Sequence, residues 1–211
     1  MEWIVQLPIL FFSVMVHEVS HGLVALRNGD DTARRAGRLT FNPIPHVDLF
    51  GTVLLPVMCL ASHMPLIGWA KPVPVDPSHI FNPRWGLFRV ALAGPLSNIA
   101  LSLAAAVLFR LVAFLPAFHP GFQKTVLEVL TFAVSINLFL AYFNLIPIFP
   151  LDGSKVLGNL LPAPARAKYY RHARFGFLMI LALMYLGALK IIVLIPAVAT
   201  MLLYQKLGLI W

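Results

Sequence analysis

The chain contains 211 residues, of which 60% are hydrophobic and 11% are charged. A soluble domain carries about 25% charged residues, so this chain has too little polar surface to cover itself in water, and a large soluble domain is excluded. The formal net charge is +8, but the basic residues lie in short loops between apolar runs, which indicates loops retained in the cytoplasm rather than nucleic-acid binding.

The first predicted element is a membrane span over residues 3–26, since an α-helix needs about 20 mostly apolar residues to cross the bilayer. It lacks the basic start and the cleavage site of a secretory signal, so we expect it to remain in the mature protein. Further apolar runs cover residues 49–69, 86–115, 126–148 and 175–204. The pattern predicts a single-domain, all-α membrane protein over residues 1–211, a multi-pass helical bundle of about four to six spans or half-spans. Its C-terminal apolar element, residues 175–205, is either one span or two elements split near Lys190.

The second apolar run, residues 49–69, is predicted to be re-entrant, entering the membrane and returning to the cytoplasmic side. Four residues interrupt it: Pro56, His63, Pro65 and Gly68. A full crossing would place the basic loop at residues 154–174 outside, against the positive-inside rule. If the run returns, the basic loops at residues 27–48, 71–84 and 154–174 all lie in the cytoplasm. Residues 71–84 hold four prolines and are predicted to be extended.

The sequence HEVSH at residues 17–21 matches the zinc-binding pattern H-E-x-x-H. On a helix, His17 and His21 lie one turn apart on the same face, so both imidazoles can reach one tetrahedral Zn²⁺. Glu18 is placed to act on a metal-bound water rather than to bind the metal. Because ionisable groups are costly at bilayer depth, their concentration here indicates a functional site. The single cysteine, Cys59, excludes a cysteine-cluster metal site.

Two histidines do not complete a zinc site, which needs a third protein ligand and a water molecule. Asp152 is the best candidate, although an ordinary Asp-Gly turn is the alternative. Topology favours the ligand, because the span at residues 126–148 runs in the same direction as the first span when one crossing separates them. The loop charges select that same arrangement. The sequence therefore predicts one zinc ion held by His17, His21 and Asp152.

Three sequence motifs carry a family resemblance: HEVSHG at residues 17–22, AGPLSN at 93–98 and NLIPIFPLDG at 144–153. Together they resemble the site-2 protease family of intramembrane zinc metalloproteases. The segments GWAKPVPVDP and FNPRWG, at residues 68–77 and 81–86, are similar to the short bacterial branch without a PDZ domain. The resemblance spans residues 11–157, within an expected catalytic core at residues 3–157.

The resemblance implies that His17, His21 and Asp152 bind zinc and that Glu18 is the general base. It also implies an enzyme of the bacterial cell membrane that hydrolyses transmembrane-helix substrates, in regulated intramembrane proteolysis, by Glu-assisted attack of zinc-bound water. The expected partners are transmembrane protein substrates, the lipid bilayer and an adaptor or regulatory membrane protein, with no nucleic acid. An unwound substrate needs hydrogen-bond partners, which an edge at residues 71–84 or 39–41 would supply.

Two amides in or near the spans, Asn98 and Asn144, are predicted to contact substrate. For Asn98 the alternative is a hydrogen bond between helices. Asn144, eight residues before Asp152, is the better candidate to hold the substrate backbone or an oxyanion. His46 and Asp48 form either an accessory metal or proton site or, as their spacing favours, an ordinary loop hydrogen bond.

Two other functions could use the same residues. A zinc-binding membrane transporter or sensor would need ionisable residues along several spans, whereas this chain concentrates them at one depth. A catalytically silent relative that binds membrane proteins would not require Glu18 beside both histidines. The sequence favours the protease over both.

Overall fold

The structure, a computed structural model, describes residues 2–62, 69–116 and 120–211. Every regular element in these ranges is helical, as predicted. The α-helices are α1 (Glu2–Arg27), α2 (Thr32–Arg35), α3 (Leu55–Ala61), α4 (Pro83–Phe114), α5 (Pro120–Asn144), α6 (Asp152–Leu160), α7 (Ala163–Arg171), α8 (Gly176–Tyr185) and α9 (Ala188–Lys206). Short turns of other helix types lie at Ile44–His46, Leu49–Leu54, Pro77–His79 and Ala173–Phe175.

Among the described residues, four helices are long and apolar enough to cross a membrane: α1, α4, α5 and α9. Four polar side chains of these helices, Ser13, Asn98, Ser102 and Asn137, are buried inside the bundle. Large apolar side chains are exposed on the outer faces, among them Ile4, Leu111 and Leu202. Hydrocarbon surroundings require this distribution, because a polar group facing lipid has no hydrogen-bond partner. The chain is therefore a multi-pass membrane protein.

Helix α4 lies at the centre of the bundle and packs against α1, α5 and α6. Contacts that fix the helix directions are those of His21 with Val90, Ser13 with Asn98, Asn137 with Asn98, and Gln123 with Val112. Both α1 and α5 are thus antiparallel to α4 and parallel to each other. This confirms the topology from which Asp152 was predicted to approach the two histidines.

The chain between α2 and α4 leaves one end of the bundle and returns to the same place. A π-helical turn over Leu49–Leu54 runs directly into α3. The Trp69 N–H then donates to the Gly51 carbonyl at 3.1 Å, and the Thr52 hydroxyl donates to the Trp69 carbonyl at 2.8 Å. Because these ends touch, the segment turns back instead of crossing, as the loop charges predict. His63, inside this segment, lies outside the described residues.

The basic loops gather at the end of the bundle where α1 and α5 finish and α4 starts. There the Phe81 N–H donates to the Asn28 carbonyl at 3.0 Å, and the Arg84 guanidinium donates to the Asn159 carbonyl at 2.8 Å. Buried Asp30 accepts from the Asp76 N–H at 2.7 Å. Burial raises the pKa of Asp30, but hydrogen bonds from Thr32 and Asp76 outweigh it and hold that pKa below its usual value. These hydrogen bonds attach the segment that precedes α4 to the end of α1. This segment, residues 71–82, is called the extended segment below.

The C-terminal apolar run forms two helices rather than one. Helices α8 and α9 are separated at Gly187, whose φ of +71° favours glycine. The break lies three residues before Lys190, so the side chain that interrupts the apolar run is already inside α9. With 10 residues, α8 is too short to span the bilayer alone.

Candidate metal centre

Two helices bring the predicted ligand residues together. His17 and His21 lie one turn apart on α1, and Asp152 is the first residue of α6. The Asp152 Oδ2 lies 3.0 Å from His17 Nε2 and 3.1 Å from His21 Nε2. One ligand atom from each residue lies within 4.8 Å of the others, and each of the three residues is at most 8% exposed. The chain thus brings residues 131 or more positions apart to one point.

The hydrogen bonds of the two imidazoles fix which nitrogen faces that point. His17 Nδ1 donates to Asn98 Oδ1 and His21 Nδ1 donates to the Val90 carbonyl, both at 2.6 Å. In a neutral imidazole, Nε2 then carries a lone pair. Two lone pairs and a carboxylate oxygen converge, and these electron-rich atoms repel one another unless a cation lies among them. Two imidazoles and a carboxylate are a common catalytic zinc ligand set, so the residues fit that ion.

Gly94 on α4 faces the same three atoms. A Cβ at this position would lie 2.5 Å from Nε2 of both His17 and His21, which is closer than non-bonded atoms pack. Alanine would therefore fill the space beside the ligand atoms. A glycine is required here to keep that space open.

Glu18 lies beside the ligand atoms but is not one of them. Its Oε2 accepts a hydrogen bond from the Val73 N–H at 2.9 Å, which joins α1 to the extended segment before α4. The side chain is half-buried and lines the same cavity as the two histidines. A carboxylate held next to a metal-ligand set, and not within it, is positioned to accept a proton from a reacting water.

The chain matches the family model described as Peptidase family M50 over residues 6–187. It belongs to that family, the site-2 proteases. Membership makes the chain a zinc metalloprotease, and it explains why two histidines, a glutamate and an aspartate meet inside a bundle of apolar helices.

Three relatives named as zinc metalloproteases illustrate the similarity. YwhC of Bacillus subtilis is 37% identical over 179 residues, which cover 82% of this chain and 77% of YwhC. Rip2 of Mycolicibacterium smegmatis is 28% identical, over 84% of this chain and 65% of Rip2. MJ0392 of Methanocaldococcus jannaschii is 28% identical, over 75% of this chain and 35% of MJ0392, so the chain spans only part of these last two proteins. No solved structure matches the chain.

In this M50 peptidase, a cavity of about 520 Å³ opens beside the ligand atoms. Its walls come from α1, the extended segment, α4, the last residue of α5, the turn before α6, α6 itself and α7. Besides the histidines, Glu18 and Asp152, the lining includes Pro72, Val73, Leu87, Asn144, Lys155 and Tyr170. Asn144 therefore lies where the sequence predicts a contact with substrate, although its amide nitrogen donates to the Leu140 carbonyl within α5.

Asn98 does not line this cavity but lies behind His17. Its Oδ1 holds His17 Nδ1, and its amide nitrogen donates to Asn137 Oδ1 at 2.9 Å and to the Ser13 carbonyl at 3.3 Å. Asn137 in turn donates to the Ser13 hydroxyl at 3.0 Å. This position favours the alternative of hydrogen bonding between helices over contact with substrate. Sequence reasoning missed Asn137, although an amide inside an apolar span is a signal of such a network.

We expect Asn98→Leu to weaken zinc binding about 10- to 100-fold, which is the usual effect of removing a hydrogen bond that orients a ligand. Without Oδ1, the His17 ring loses the acceptor that fixes its orientation. Competition with a zinc chelator of known affinity measures the change. Asn144→Leu is the matched control, because that amide contacts the cavity and no histidine; equal zinc affinity in the two variants would contradict the role of Asn98.

Lys155 is a second site residue that sequence reasoning missed. Its Nζ lies 3.6 Å from Asp152 Oδ1, three residues earlier on α6. The ammonium thus holds one carboxylate oxygen while the other faces the histidines. The i to i+3 spacing on one helix is a signal for this pair once Asp152 is known to begin the helix.

His46 and Asp48 form loop hydrogen bonds, the interpretation that their spacing favours. His46 is buried, and its Nε2 donates to the Thr40 carbonyl at 2.9 Å. Asp48 caps the following helical turn by accepting from the Gly51 N–H at 2.7 Å. Of the remaining histidines, His79 lies 3.7 Å from both Asp30 and Asp76, and His119 lies outside the described residues.

Proposed function

We propose that this M50 peptidase is an intramembrane endopeptidase that cleaves transmembrane-helix substrates, and that Glu18 is its general base. The observation that carries the proposal is the position of His17, Glu18 and His21 on a spanning helix, with Asp152 against both histidines. His21 and His17 lie six and ten residues before the end of α1, or about 9–15 Å at 1.5 Å per residue. A peptide bond that reaches them must enter the bilayer.

Each residue of the site has a separate role in the proposed reaction. His17, His21 and Asp152 would hold a zinc ion, which would supply the Lewis acidity that polarises a carbonyl and acidifies a water molecule. Glu18 accepts the proton of the attacking water and passes it to the leaving amine. Asn144, on the cavity wall, donates to the substrate backbone or to the developing oxyanion.

The extended segment before α4 offers an edge for an unwound substrate. In an extended chain, residues 73 and 75 direct their backbone groups to the same side, and the Val73 N–H points to Glu18. Within the described ranges, the Val73 carbonyl and the Val75 N–H take part in no hydrogen bond. These groups supply an acceptor and a donor to a substrate strand entering the cavity. The other predicted edge, at residues 39–41, is less available to a substrate, because the Thr40 carbonyl already accepts a hydrogen bond from His46.

The proposed location is the cell membrane of a bacterium, with the basic loops in the cytoplasm, since basic loops are retained on that side. Cleavage then falls in the cytoplasmic half of the bilayer. Transmembrane proteins are the proposed substrates, in regulated intramembrane proteolysis, with an adaptor or regulatory membrane protein as a further partner.

Metal removal tests the proposed function. The full chain in lipid nanodiscs, supplied with a transmembrane reporter, is expected to lose cleavage on treatment with 1,10-phenanthroline and to regain it when Zn²⁺ is restored. The non-chelating isomer 1,7-phenanthroline is the matched control and should leave cleavage unchanged. Cleavage that survives zinc removal, or zinc binding without cleavage of any transmembrane reporter, contradicts the proposal.

A further inference from the structure

The extended segment that carries Val73 is held from two opposite sides. On one side the Val73 N–H donates to Glu18 Oε2 at 2.9 Å. On the other, the Arg38 Nη2 donates to the Lys71 carbonyl at 2.6 Å and to the Pro72 carbonyl at 3.3 Å. The Lys71 N–H is bound as well, to the His46 carbonyl at 2.9 Å. The segment is therefore fixed in place at the point where Val73 contacts Glu18, the proposed base.

Arg38 is a buried cation without an acidic partner among the described residues. Only 8% of the residue is exposed, and none of the ion pairs in the described ranges involves it. Its Nε is buried without a hydrogen-bond partner there. Burying a guanidinium without a carboxylate costs free energy of desolvation. The hydrogen bonds to the carbonyl oxygens of residues 71 and 72 offset that cost.

One peptide group joins Arg38 to Glu18. The Pro72 carbonyl and the Val73 N–H belong to the same peptide unit, and in a trans peptide these two groups point in opposite directions. The guanidinium therefore withdraws electron density from the oxygen while the carboxylate accepts the hydrogen. Hydrogen bonds in such a chain polarise and strengthen one another.

The sequence permits a close approach of this segment to α1. A Cβ on Gly22 would lie 2.8 Å from Val73 Cγ1 and 2.6 Å from Leu39 Cδ2. A larger residue at position 22 would force the side chains of Leu39 and Val73 to shift, so glycine here lets the segment lie close to the helix that carries Glu18. Gly22 on α1 and Arg38 on the opposite side of the segment thus both favour the contact between Val73 and Glu18.

We propose that Arg38 is a positioning residue for catalysis: through the Pro72–Val73 peptide group it holds one oxygen of Glu18 and leaves the other free to receive a proton. The proposal rests on the proposed function, in which Glu18 is the base. Arg38 touches neither the ligand residues nor the reacting atoms. Its loss should change the rate of the chemical step and leave zinc binding intact.

The test compares Arg38→Met, Arg38→Lys and wild type as full chains in nanodiscs with a transmembrane reporter. Arg38→Met is expected to lower kcat about 10- to 100-fold, the range caused by a misplacement of about 1 Å. KM should change by a smaller factor than kcat, and zinc content by elemental analysis should stay at the wild-type level. Arg38→Lys keeps a cation and is expected to have an intermediate kcat, because an ammonium lacks the planar fork of arginine.

Arg35→Met is the matched control, since Arg35 is close in sequence but 61% exposed and paired with Asp31 at 2.9 Å; its kcat should equal that of wild type. A wild-type kcat in Arg38→Met overturns the proposal, as does a loss of zinc content or a loss that appears in KM alone. If Arg38→Met does not accumulate, Arg38→Lys decides: a reduced kcat with full zinc supports the proposal, and a wild-type kcat contradicts it. Failure of the wild type to cleave would instead contradict the proposed function.

Discussion

Glu18→Gln is expected to retain zinc and to lower cleavage of a transmembrane reporter by about 100-fold or more, the contribution of a general base. Glutamine has the same shape as glutamate, and its carbonyl oxygen can still accept from the Val73 N–H. It cannot take up the proton of the attacking water. The change therefore removes the base while the histidines and Asp152 stay as they are. Single-turnover cleavage and elemental analysis on one preparation measure both quantities.

Glu128→Gln is the matched control for this variant. Its carboxylate is 67% exposed on α5 and lies 3.9 Å from Lys124, away from the site. We expect full zinc and full cleavage. Undiminished cleavage in Glu18→Gln would remove Glu18 from its role, and loss of zinc in that variant would show that the carboxylate supports the metal instead.

Asp152→Asn is expected to weaken zinc binding by more than the 10- to 100-fold loss that typically follows removal of a supporting hydrogen bond. The substitution keeps the shape of the side chain but removes its negative charge, so two neutral imidazoles are left to hold a dication. The Lys155 ammonium, 3.6 Å from Asp152 Oδ1, would then lie near the ion without an intervening charge. Zinc content after dialysis against a weak chelator, together with cleavage, measures the effect.

Asp31→Asn is the control for Asp152→Asn, because Asp31 pairs with Arg34 and Arg35 at the surface. Its zinc affinity should equal that of wild type. Full zinc occupancy in Asp152→Asn would mean that another residue supplies the third ligand.

The two variants also separate the protease from the other functions considered. A zinc transporter or sensor would show no reporter cleavage and no dependence on Glu18. A catalytically silent relative would bind zinc through Asp152 and still leave every reporter intact. Retained zinc with lost cleavage in Glu18→Gln is expected only of the protease.

The approach of Asp152 to the histidines could be predicted from the sequence because two local signals agree. The spacing of His17 and His21 fixes a helix face, and loop charges fix the number of crossings before Asp152. The same charges predict that residues 49–69 turn back, since a crossing would reverse every later helix. Such arguments need only the direction of each helix and no detail of packing.

Other parts of the site depend on how the helices pack, and the sequence alone does not specify that. The bond between Glu18 and Val73 requires the extended segment to lie against α1, which follows from distant contacts such as those of Arg38 and Asp30. The sequence predicts that Asn98 contacts either substrate or a neighbouring helix, and which of the two it contacts depends on the rotation of α4. The break near Lys190 lies at Gly187, because a left-handed residue ends a helix and a single lysine does not.

The long separation between the ligand residues has a consequence for biosynthesis. His21 and Asp152 are 131 residues apart, and at about 5–20 residues per second the ribosome needs about 7–26 s to make the chain between them. During that time the first helix, with its two histidines and its glutamate, is already entering the membrane without the third ligand. Under the proposed zinc site, the nascent chain therefore lacks its third ligand until α5 is made and Asp152, at the start of α6, reaches the histidines.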